Sequence, residues 1–129
     1  MKEIKFRGKR VEDNEWIFGY YVLTHDSHRI IYEDYEGLYY EEEVIPESVG
    51  QYTGLIDKKY REIYEGDLVK VEWRYVSDIG TVKYIRSGFF VSGMKRPMSI
   101  PLGSISATCE IIGNIYENLE LLEESKWER

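Results

Sequence analysis

Apolar and polar positions along this chain alternate mostly with a period of two, the spacing of strands rather than of helices. Residues 15–23 put Trp16, Phe18, Tyr20 and Val22 on one side and Ile17, Tyr21 and Leu23 on the other. That reads as a central strand with both faces apolar. Gly19 inside it predicts a bulge or a close backbone approach. Residues 28–33 and 37–43 are short runs rich in Ile and Tyr, joined through Asp34-Tyr35-Glu36-Gly37. This is a hairpin pattern, with Gly37 free to take a positive φ. From 44 to 55, paired glycines and Pro46 predict an ordered loop rather than a helix.

The second half carries the clearest β signal. Residues 67–73 place Val69, Val71 and Trp73 on one face with Leu68 opposite, launched by the Gly66-Asp67 turn. Further strands are expected at 79–85, 89–91 and 109–117, the last interrupted by Gly113-Asn114. The strands at 67–91 make only a three-stranded meander, so 109–117 has to join them or leave an edge unpaired. Only 118–128 looks helical, with Asn118 as N-cap and Leu119, Leu122 and Trp127 on the inner side. The expected fold is mostly β: a small SH3-like or related β-barrel with an N-terminal β extension and a short C-terminal helix.

Composition narrows the class. A chain of 129 residues, 43% hydrophobic and 32% charged, has enough apolar surface for one core, so residues 1–129 are expected to form a single domain. One cysteine, Cys109, makes no intramolecular disulfide and completes no multi-cysteine metal cluster; it reads as a small buried hydrophobe. The N-terminal residues lack the apolar core of a secretory signal, and no apolar run approaches membrane-spanning length. A cytoplasmic protein is expected, with no membrane partner.

A formal charge of −7 disfavours non-specific binding to phosphate backbones. The charge is uneven: Lys2, Lys5, Arg7, Lys9 and Arg10 precede an acidic stretch from Glu33 to Glu47, most simply two solvated strand faces of opposite sign. Asp57, Glu62, Glu65 and Asp67 bracket a turn but lack the spacing of a calcium loop, so Asp67 is expected to bond nearby backbone amides instead. His25, Asp26, Ser27 and His28 contain the parts of a hydrolytic triad too close in sequence to face one another. Gly50-Gln51-Tyr52-Thr53-Gly54 lacks the Lys-Ser/Thr and helix of a phosphate loop. No catalytic, cofactor or metal site is therefore expected. The best contact candidates are Met94, Lys95 and Arg96, in a predicted β connection with Pro97 and Met98, followed by the basic Lys5, Arg7 and Lys9.

Six blocks occur in order: Ile4-Lys5-Phe6-Arg7-Gly8-Lys9, Trp16-x-x-Gly19, Val49-Gly50-Gln51-Tyr52-Thr53-Gly54-Leu55-x-Asp57-Lys58, Ile63-Tyr64-Glu65-Gly66-Asp67, Gly80-x-Val82, and Ile112-Gly113-Asn114-Ile115-Tyr116-Glu117-Asn118. Through them the whole chain resembles the YopX family of phage and prophage proteins. The resemblance implies a bacterial host cytoplasm and a phage accessory role, and carries over no functional residues.

The leading expectation is a non-enzymatic protein that binds a host or phage protein or self-associates, supported by twelve tyrosines, which suit surfaces with one apolar and one wet side. Two alternatives remain open. One is a nucleic-acid-binding barrel using Lys5, Arg7, Lys9 and Arg10 with Phe6 and Trp16 for stacking. The other is an acidic DNA mimic using the carboxylates from Glu33 to Glu47.

Overall fold

Every segment with a clear period of two is a strand in the computed structural model, which describes residues 3–73, 76–95 and 99–122. The strands are β1 (Phe6–Lys9), β2 (Trp16–Leu23), β3 (His28–Glu33), β4 (Tyr39–Glu43), β5 (Gly50–Ile56), β6 (Glu62–Tyr64), β7 (Asp67–Trp73), β8 (Val76–Ile85), β9 (Gly88–Ser92), β10 (Ile100–Pro101) and β11 (Glu110–Asn114). Contacts divide the chain into two compact units, Met1–Tyr52 and Thr53–Arg129.

In the first unit the order is β4-β3-β2-β1-β5, all antiparallel. The β3–β4 hairpin forms as expected. Gly37 sits at φ +87°, and the Asp34 carboxylate accepts the N–H groups of Glu36 at 2.8 Å and Leu38 at 3.0 Å. Gly19 is the expected close approach, since a Cβ there would lie 2.1 Å from the Ile31 carbonyl oxygen. The sheet curls until Arg10, just past β1, bridges Val44, just past β4. Val11 N–H donates to Glu43 O at 3.0 Å, and Ile45 N–H donates to Lys9 O at 2.8 Å. Ile30 and Val44 are fully covered inside the curl. The outer side of β2 departs from expectation: Phe18 and Tyr20 are exposed there, and Leu23 is exposed at the strand's end on the other side, so the strand is central without being buried on both faces.

The expected loop at 44–55 is instead a three-residue 3-10 turn, Pro46–Ser48, leading into β5. Non-local pairing overrides the local glycine signal here, with Gly50 opposite Arg7 and Gln51 opposite Phe6. From Thr53 onward β5 belongs to the second unit, where the Thr53 hydroxyl donates to the Ile63 carbonyl at 2.8 Å.

The second unit contains a sheet of order β10-β9-β8-β7-β11. Its core is Ile63, Val69, Val71, Val82, Val91, Ile100, Leu102, Ile105 and Cys109. Of the segment 109–117, Glu110–Asn114 joins the meander as argued, with Ile111 opposite Val69 and a register shift before Gly113 that bends β11 along β7, while residues 115–117 form a turn. Barrel closure does not follow, and the two sheets remain open. β10 is two residues ending in Pro101, which has no N–H to extend a ladder. The outer edge of β11 is occupied by a loop described below. Residues 119–122 are helical, and the remainder of the expected helix lies outside the described residues. The Asn118 side chain reaches back to accept Asn114 N–H at 3.2 Å, rather than capping forward.

Gly66 takes φ +94°, donates its N–H to Val82 O and accepts Ile115 N–H, both at 2.8 Å. Gly66→Val should therefore destabilise the chain by about 2 kcal/mol, since a β-branched residue resists that conformation. Thermal denaturation measures this, and an unchanged midpoint would show that the turn tolerates a side chain.

Candidate functional site

The β1–β2 register pairs Arg7 with Phe18 and Lys9 with Trp16, so Lys5, Arg7 and Lys9 share one sheet face with Trp16, Phe18 and Tyr20. Phe6 points to the other face, where it meets Tyr21 at a ring separation of 5.4 Å. The expected stacking set therefore splits: Trp16 lies with the cations and Phe6 does not. The Arg7 guanidinium carbon lies 4.6 Å, and the Lys9 ammonium 5.4 Å, from the Trp16 ring centre. Lys5 sits 5.4 Å from the Tyr52 ring. These cations cover the rings of their own chain. Lys9 is only 5% exposed and Tyr52 9%, so neither is displayed to solvent.

Farther from β1 the same face becomes aromatic and open. Phe18, Tyr20 and Tyr39 are 47%, 62% and 66% exposed. Tyr20 lies opposite Ile31, which lies opposite Glu41, while Tyr39 lies opposite Glu33. A hydrogen bond to the Glu33 carboxylate raises the Tyr39 phenol pKa. Sequence reasoning did not single out these three rings. Alternation placed Phe18 and Tyr20 on one side of their strand, but that this side is left open beside Tyr39 depends on the curl of the sheet.

The loop candidates fare differently. Met94 packs against the core of the second unit, and Lys95 is exposed with its N–H bound to the Asp78 carboxylate at 2.8 Å. Arg96, Pro97 and Met98 lie outside the described residues. The Ser27 hydroxyl accepts Arg29 Nε at 2.9 Å, and His28 Nδ1 is bonded to the Tyr21 hydroxyl, so the triad parts do not converge. Cys109 is buried, and desolvation pushes its thiol up to about 11. That is the setting of an inert thiol rather than a nucleophile.

Asp57, weighed above as a cation ligand, is a structural hub. It is 2% exposed, and Oδ1 accepts the N–H groups of Lys59 and Arg61, both at 2.9 Å. Its Oδ2 accepts Ile111 N–H at 3.0 Å and Arg61 Nη2 at 3.0 Å, and the same Arg61 nitrogen donates to Ile111 O at 2.7 Å. Lys58 N–H adds a bond to Cys109 O at 3.0 Å. The loop thereby covers the outer edge of β11. Asp67 likewise accepts Tyr64 N–H at 2.7 Å, the turn role expected of it.

Residues 5–123 match the family described as YopX protein. The chain belongs to the YopX family. The solved structure of protein EF1440 from Enterococcus faecalis is similar at 20% identity, covering 95% of this chain and 99% of that one with a TM-score of 0.57. This likeness shows a shared fold. No curated protein matches this YopX-family chain.

Burial raises the Asp57 pKa, but the hydrogen bonds from Ile111, Arg61 and Lys59 outweigh it and hold the carboxyl below its usual range. Because the folded pKa is depressed, its contribution is complete above roughly pH 4 and is lost as pH falls through the folded value. Asp57→Asn should cost about 3 kcal/mol at neutral pH, leaving several donors without an anionic acceptor. Urea midpoints for both proteins should converge on acidification, and a gap that stays constant to pH ~2 would refute the ionised role.

Proposed function

We propose that this chain is a non-enzymatic protein-binding module that presents the open aromatic face of its first unit to a partner. The observation that supports this reading is the exposure of Phe18, Tyr20 and Tyr39 on one side of a sheet whose opposite side is a core. Exposed rings grouped on a rigid sheet are the composition of a protein interface, because each buries much area with few rotatable bonds. A phage accessory role in a bacterial cytoplasm, implied by the family, belongs to the same proposal. The nucleic-acid reading is the weaker one. Trp16 and Tyr52 are already faced by Arg7, Lys9 and Lys5, and the net charge of −7 opposes a polyanion.

The test is a Phe18→Ser/Tyr20→Ser variant. Replacing exposed rings should leave stability within about 0.5 kcal/mol. Wild-type protein immobilised on resin should retain a bacterial or phage protein, or a second copy of itself by light scattering, that the variant does not. Identical retention and oligomeric state for the two proteins would overturn the reading.

A further inference from the structure

Most sheet edges in this chain are closed by their own residues. The Asp57 loop covers β11, β10 ends in Pro101, and the Tyr64 N–H of β6 is taken by Asp67. β4 differs. Val44 N–H donates to His28 O, which fixes the alternation of the β3–β4 ladder: residues 40, 42 and 44 turn their backbone groups toward β3, and 39, 41 and 43 turn theirs outward. The Glu43 carbonyl is taken by Val11 N–H. Among the described residues the outward backbone groups of Tyr39 and Glu41 have no partner.

Charge selects what can pair there. Glu41 and Glu43 project from this edge on the aromatic face. Where β4 meets the Arg10 bridge lies a cleft of about 280 Å³ whose charged lining is Arg10, Arg29, Glu12, Glu41, Glu42 and Glu43. Arg10 is engaged by Asp13 and Glu42, and Arg29 lies 3.6 Å from Glu41. Four carboxylates against two guanidiniums leave the cleft short of positive charge. A second copy of this strand would bring like charges to the same edge, which is how natural edges avoid self-pairing.

We infer that the β4 edge accepts an extended, basic segment of another protein as an added antiparallel or parallel strand, with Lys or Arg at alternate positions. This rests on the protein-binding reading above and names its partner chemistry. The Tyr39 and Glu41 backbone groups supply the main-chain bonds. Side chains on the aromatic face meet Tyr39 and Glu41, and a cation near the end of β4 enters the Glu-rich cleft.

The probe is a capped eight-residue peptide of alternating arginine and valine, titrated by fluorescence anisotropy at low and moderate salt. Three comparisons accompany it: the glutamate–valine counterpart, the arginine–valine peptide with its central amides N-methylated, and the Glu41→Pro and Glu41→Gln proteins. Proline at 41 removes an outward N–H and leaves the β3 ladder intact, so the variant should fold. The arginine–valine peptide should bind, weaken with salt, and bind at least about tenfold more tightly than the glutamate or N-methylated peptide. Glu41→Pro should lose binding, while Glu41→Gln should retain it in part. Equal binding of the N-methylated peptide, unchanged binding to Glu41→Pro, or no binding to wild type would overturn the inference. If Phe18→Ser/Tyr20→Ser alone abolished binding, the edge assignment would fall and the aromatic-face reading would stand.

Discussion

The Asp57 carboxylate occupies the place where a further strand would otherwise have to pair with β11, accepting the Ile111 N–H while the Arg61 it orients donates to the Ile111 carbonyl. Other features of the second unit follow from this substitution. An edge bonded to a loop offers no ladder to another strand, so the sheet stays open. The loop turns back within five residues, with Tyr60 at φ +64° at its tip. Cys109, just before β11, is buried in the core, and its carbonyl accepts the Lys58 N–H. A buried carboxylate is costly unless its oxygens are filled, and here backbone N–H groups and a guanidinium fill them.

The first unit manages its strands by curvature. Gly19 lets β2 and β3 approach where no Cβ fits, and Gly8 lets Val44 sit over β1. The bridge from Arg10 to Val44 then nearly joins the two ends of the curl and buries Ile30. That closure has a definite extent: it reaches Glu43 and stops, which leaves the outward groups at Tyr39 and Glu41 open beside exposed rings. The open β4 edge thus follows from the same closure that buries Ile30.

The outer face of the first unit's sheet changes in chemistry from one edge to the other. Toward β1 the rings are covered by the chain's own cations, and toward β4 they are bare and bordered by carboxylates.

Local pattern alone determined β2, the β3–β4 hairpin, β7 to β9 and β11, because period-two alternation and turn chemistry at Gly37 and Gly66 are written in neighbouring residues. The family was legible in the same way, from short blocks with fixed order. What the sequence could not decide depended on partners distant in the chain. β5 exists because Gly50 and Gln51 find β1, and Asp57 is a hub only once Ile111, more than fifty residues away, delivers its N–H. Met94 is half-buried against the core of the second unit, Phe6 and Trp16 lie on opposite faces, and Phe18, Tyr20 and Tyr39 come to share one open face. Those outcomes belong to tertiary structure, because burial and edge pairing depend on which strands meet.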